Sequence, residues 1–155
     1  MGLAAAVGLA EAGPDIAITY NNSSNGYIKG LENRFNGLRV KFRAYKCDVS
    51  KKEQVAESVS HAVENFGRLD IVVANADIGT YSDAEDFSEE DYRNTMGVSL
   101  DGVFFTAQAA AKAFKTQKAD GRLQQGRIIF TASVSSLISI IHRNKRHIMH
   151  QRQVL

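Results

Sequence analysis

Apolar and polar positions switch repeatedly between a helical and an extended period. Leu3, Val7 and Leu9–Ala10 recur at helical spacing, and Gly13-Pro14 ends that run. Asp15–Tyr20 is short and mostly apolar, as a buried strand is. Asn21–Gly26 has loop composition, and a fainter helical stretch covers about residues 27–35, ending near Asn36-Gly37. Val40, Phe42 and Ala44 alternate with Lys41, Arg43 and Tyr45, the pattern of a half-exposed strand. Ser50 and Glu53 have the spacing of a capping box. The helix they would open keeps Val55, Val59, Ala62, Val63 and Phe66 on one face and stops at Gly67. Leu69–Ala74 is a near-continuous apolar strand. Ser88 caps a helix through the acidic turn Glu89-Glu90-Asp91, predicted to run to about Lys118. Gly126–Ser133 is a last strand rich in β-branched residues.

Strands alternating with helices predict an α/β fold, a doubly wound parallel sheet covered on both faces. Such a domain normally opens on a strand. This chain opens on a helix with no capping residue and no strand before it, as though inside a repeating unit.

With 155 residues, the length fits about one domain. A composition 44% hydrophobic and 23% charged excludes a disordered or collagen-like polymer. No apolar run approaches the ~18 residues of a membrane-spanning helix, and Met1–Ala6 has no basic flank of a secretory signal. The expectation is therefore no membrane association. A single cysteine, Cys47, cannot form an internal disulfide, which points to a reducing compartment and a cytoplasmic protein.

The net charge of +2 conceals a break in composition. Four of the 19 basic residues, Arg143, Lys145, Arg146 and Arg152, lie after position 141, where there is no acid. Removing those four leaves 15 basic against 17 acidic residues, a mildly acidic body. His142, His147 and His150 sit in the same tail, at a spacing that matches no zinc pattern, so no metal is expected. Charge runs of this kind are usually solvated, and no nucleic-acid partner is expected.

At Cys47-Asp48-Val49-Ser50, Val73-Ala74-Asn75-Ala76 and Ile128-Ile129-Phe130-Thr131-Ala132-Ser133, in that order, the chain resembles the short-chain dehydrogenase/reductase family. The resemblance covers about Gly2 to Leu137. Val40–Ser50, Gly102-Val103-Phe104-Phe105 and Thr131-Ala132-Ser133 resemble its branch of NADP-dependent polyol and ketose reductases, the mannitol dehydrogenase and sorbose or xylulose reductase type. The resemblance implies a Rossmann-like doubly wound sheet, incomplete here, with the first strand and the C-terminal third missing. Residues 1–137 would be a partial NADP-binding domain.

It also implies roles for particular residues. Ligands of an open parallel sheet sit beyond the carboxyl ends of its strands. Asp48 would bind the adenine edge with Val49 beside it, or would serve as an Asx-turn residue ahead of a helix. Asn75 and Ala76 match the family's Asn-Ala-Gly turn beside the cofactor ribose, unless Asn75 is an ordinary strand-ending polar residue. The glycine position is Asp77, whose charge would face a phosphate-bearing ligand. Gly2 matches the last glycine of the phosphate loop, where helix N–H groups hold a pyrophosphate, or it is a plain helix-start glycine. After the strand ending at Tyr20, an acid would select NAD; Asn21-Asn22-Ser23 is neutral and donor-rich, which favours NADP. Ser133 aligns with the serine that hydrogen-bonds the substrate carbonyl, or is a polar strand-end residue. The family's helix asparagine is Ser99 here. Its active Tyr-x-x-x-Lys is absent, since no tyrosine follows Tyr92. That tyrosine protonates the alkoxide and the lysine lowers its pKa.

Three functions are compatible with these residues. The first is an NADP-dependent reductase of a small carbonyl or polyol, with this chain itself inactive. The second is a non-catalytic nucleotide-binding or interaction fragment, and the third takes the basic tail as a nucleic-acid or metal-binding arm. The family's usual homotetramer uses two long helices, so its interface would be incomplete here. Residues 138–155 are expected to be an unrelated basic tail from a shifted frame or splice boundary. Read from the third base of codon 147 onward, the codons permit Tyr-Asn-Ala-Ser-Lys-Ala-Gly, which resembles the family's active-site helix. It falls about 14 or 15 residues after Ser133, near the spacing the resemblance implies.

Overall fold

The structure, a computed structural model, describes residues 1–80 and 82–133. The expected tail at 138–155 lies outside them. Among the described residues five α-helices and four strands follow in order: α1 (Gly2–Glu11), β1 (Ile16–Tyr20), α2 (Asn25–Gly37), β2 (Phe42–Lys46), α3 (Lys52–Phe66), β3 (Ile71–Ala74), α4 (Glu89–Met96), α5 (Gly102–Ala119) and β4 (Arg127–Phe130). A 3-10 turn at Ala84–Asp86 precedes α4.

The strands are parallel, as the alternation of elements requires. β1 pairs with β2 from Ile16 opposite Phe42 to Tyr20 opposite Lys46, and Cys47 N–H extends the ladder to the Tyr20 carbonyl at 2.8 Å. β3 pairs with β4 from Ile71 opposite Arg127 to Ala74 opposite Phe130, and Thr131 N–H reaches the Ala74 carbonyl at 3.1 Å. Among the described residues these are two separate two-stranded ladders, with no hydrogen-bonded strand joining β1 to β3.

Each ladder has its own packing. Val7 and Ala10 of α1, Ile16, the α2 residues Ile28, Leu31 and Phe35, and Val40 and Phe42 form one buried cluster. Phe35 is fully buried and stacks on Phe42 with ring centroids 4.4 Å apart. Burying a phenylalanine stabilises by about 1.5–3 kcal/mol. On the other ladder, α5 packs against β3 and α3. Gly126 lies so close to Phe114 of α5 that a Cβ there would meet the ring at 2.3 Å, which brings β4 in tightly under the helix.

Three expectations are corrected. The Ser50–Glu53 capping box does not form. Ser50 donates its hydroxyl to Asp48 Oδ1 at 2.7 Å and its N–H to the same oxygen at 3.0 Å. The N-cap falls instead on Lys51, which offers no side-chain acceptor. The helix expected from Ser88 to Lys118 is interrupted by a π turn at Gly97–Asp101. Glycines sit on both sides of that turn against the loop after β2: a Cβ on Gly97 would lie 3.5 Å from Ser50 Cβ, and one on Gly102 would lie 2.8 Å from Val49 Cγ2. The bulge therefore falls where the helix abuts the loop after β2. Finally, α2 begins earlier than the pattern indicates, because the Ser24 hydroxyl accepts from Tyr27 N–H at 3.3 Å and caps it. The Ser88 cap and the Gly67 stop form as expected, the latter with φ 80°.

Candidate functional site

The carboxyl ends of the strands collect the residues that the sequence singles out. Asn21 directly follows β1, Asp48 and Val49 follow β2, Asn75 and Ala76 follow β3, and Ser133 stands three residues past β4. Gly2 opens α1, which runs back along β1, so its first turn lies at the same level. A Cβ on Gly2 would meet Asn75 Nδ2 at 2.8 Å, a contact only glycine allows without a shift. The start of α1 and the end of β3 therefore converge. Met1 supplies no side-chain cap and the first turn of α1 holds no acid, so the positive end of the helix is not answered by a carboxylate within its own turn.

The other residues are fixed locally. Asp48 is an Asx-turn residue: it accepts from Ser50 N–H, and its own N–H donates to Gln54 Oε1 at 2.8 Å. Val49 is pressed against Gly102, whose Cβ would also lie 3.2 Å from the Val49 carbonyl oxygen. The loop after β2 is thus seated on the start of α5. Asn21 is exposed, Ala76 is exposed, and Ser133 is half-buried. Cys47 beneath this loop is 2% exposed. Burial pushes its thiol up from the ordinary value, with a hydrogen bond to Ser58 pulling the other way, so it stays a neutral packing residue.

Two residues that the motif reading set aside as departures prove to be partners. Ser99, inside the π turn, donates its hydroxyl to Asp77 Oδ1 at 2.8 Å. They are 22 positions apart, and no periodic signal links them. Gln54 was likewise missed, because its acceptor role depends on the turn at Asp48 and not on a motif. Among the described residues no group of three or more His, Cys, Asp or Glu is placed to hold a metal, and no helix is long and apolar enough to cross a membrane.

The sequence profile of a family described as "Enoyl-(Acyl carrier protein) reductase" matches residues 1–151. The chain belongs to the short-chain dehydrogenase/reductase family. An NADP-dependent mannitol dehydrogenase of Hypocrea jecorina is 34% identical over 139 residues, covering 90% of this chain and 50% of that protein. A sorbose reductase of Schizosaccharomyces pombe is 34% identical over 143 residues, covering 90% of this chain and 52% of its own. Among solved structures, a short-chain dehydrogenase from Burkholderia cenocepacia in complex with NADP superposes with a TM-score of 0.80 at 30% identity, covering 90% of this chain and 54% of that one. An NAD+-bound xylitol dehydrogenase gives 0.79 at 29% identity, with 90% and 51% covered. This member of the family therefore has a Rossmann-like fold and spans about half the length of the relatives it matches.

Proposed function

We propose that this chain carries the NADP-binding part of an oxidoreductase that moves hydride between NADPH and a ketone, ketose or polyol. We propose also that the 155-residue chain does not itself turn over. The observation that supports the reading best is the contact of Gly2 with Asn75. It leaves an open helix N-terminus beside the carboxyl end of β3, where a side chain at position 2 would intrude. NADP is the cofactor named for the mannitol dehydrogenase relative and held by the Burkholderia neighbour.

The residues present fit that group. The amides of the first turn of α1 at Gly2 suit a pyrophosphate. Asn21, exposed and neutral at the end of β1, tolerates a 2′-phosphate that a carboxylate there would repel. Asp48 and Val49 would hold the adenine edge, and Asn75 with Ala76 would line the ribose. When bound, the nicotinamide supplies or accepts the hydride. Ser133 hydrogen-bonds the substrate oxygen and stabilises its developing negative charge. A proton must then reach that oxygen, and this chain has no tyrosine beyond Tyr92 to give it. Cys47 as the single cysteine fits a reducing, cytoplasmic setting.

The test is a spectrophotometric assay of the purified chain with NADPH and a panel of ketoses, and with NADP and the matching polyols. The expected result is no turnover above the protein-free blank. Measured NADPH-dependent turnover with any of them overturns the second half of the proposal.

A further inference from the structure

We infer that the hydrogen bond between Asp77 and Ser99 is a latch that positions the cofactor-facing turn after β3. Four observations meet there. Ser99 Oγ donates to Asp77 Oδ1 at 2.8 Å, across 22 residues of sequence. Ser99 lies in the π turn Gly97–Asp101, so its place on the helix surface is set by the bulge and not by the regular α period. That bulge is also held at both ends, because Gly97 and Gly102 abut Ser50 and Val49 of the loop after β2. Asp77 stands two residues past Asn75, whose side chain meets Gly2 at the start of α1.

The latch therefore ties the β3 turn to a segment that the β2 loop already fixes. Through one bond the ends of β2 and β3 and the start of α1 are held in a common arrangement. The pair also explains two departures from the family motif together. A carboxylate at position 77 and a short hydroxyl at position 99 complete each other, and either alone would lack this partner. Asp77 and Ser99 are positioning residues, acting through Asn75 and Ala76. A hydrogen bond to a carboxylate is among the stronger kinds.

The experiment is hydrogen–deuterium exchange of the full chain, with NADPH titration of the same samples. Ser99→Ala and Asp77→Ala should each speed exchange of the amides at 76–80 about tenfold, while those of Ile28–Phe35 stay unchanged. The double variant should be no faster than Asp77→Ala alone, since removing Ser99 as well breaks no further bond between the two side chains. Ser99→Thr keeps the hydroxyl and should restore the wild-type rate. Should Ser99→Ala fail to fold, Asp77→Ala breaks the bond from the loop side without altering the helix. Unchanged exchange at 76–80, or equal acceleration everywhere, overturns the latch. The ligand half rests on the NADP reading: NADPH affinity should fall about tenfold in both alanine variants and recover in Ser99→Thr. Faster loop exchange with unaltered affinity overturns the positioning role. A wild-type chain that binds no NADPH contradicts the cofactor reading instead, and the exchange rates then decide the latch alone.

Discussion

Gln117 is 1% exposed in α5, and its amide answers one backbone residue completely. Its Oε1 accepts from Leu69 N–H at 2.6 Å and its Nε2 donates to the Leu69 carbonyl at 2.9 Å. Leu69 is the residue from which the chain turns into β3, so this side chain stands in for a strand partner just where the ladder has not begun. Gln117→Leu keeps the volume and removes both bonds, leaving a donor and an acceptor without partners under the helix. The variant should lose about 2–4 kcal/mol in urea denaturation, the cost of two unmet backbone groups. A loss below ~0.5 kcal/mol would mean that water reaches Leu69 and that the clamp is dispensable. A sequence pattern does not reveal such a residue: a glutamine among lysines near a helix end looks like ordinary solvated surface.

At the scale of elements, legibility followed the range of the interactions. The helix stop at Gly67 and the cap at Ser88 were readable because each depends on residues within one turn. The capping box at Ser50 failed because Asp48, two residues upstream, competes for the same hydroxyl. The π turn was unreadable, since it lies where Gly97 and Gly102 approach a loop about 50 residues earlier, a contact no local pattern carries. The vacant cap gives a prediction. Lys51 sits at the N-cap of α3 with extended backbone, φ −107° and ψ 105°, and no acceptor. Lys51→Asp should add a cap and a favourable charge at the helix start, stabilising by about 1 kcal/mol as a rise in urea midpoint. No rise, or a fall, would show that the Asp48 turn already saturates those amides.

At the scale of the whole molecule, the order of the elements was legible, and with it the positions of the motif residues at the ends of strands. Gly2, Asn21, Asp48, Asn75 and Ser133 are far apart in sequence, yet each parallel ladder brings its strand ends to one side, Asn21 with Asp48 on one and Asn75 with Ser133 on the other, and Gly2 lies against Asn75. What the motifs did not show is how those ends are tied to each other, which depends on side chains such as Ser99 and Gln54. The hidden peptide Tyr-Asn-Ala-Ser-Lys-Ala-Gly, read in a frame shifted from about Ile140, requires CAT at codon 147, ATA at 148, CAT at 150, CAA at 151, AGG at 152 and CAG at 153. Sequencing the transcript across codons 133 to 155 should find them, whereas CAC at codon 147 excludes the hidden tyrosine.

The claim on which the rest depends is that these strand ends bind NADP. It is tested most directly by fluorescence titration of the purified chain with NADPH and with NADH, repeated on Asn21→Asp. Saturable one-to-one binding that favours NADPH is expected. Asn21→Asp, by placing a carboxylate against the 2′-phosphate, should weaken NADPH about tenfold and spare NADH. Saturable binding of neither nucleotide, or a wild-type preference for NADH, would contradict it.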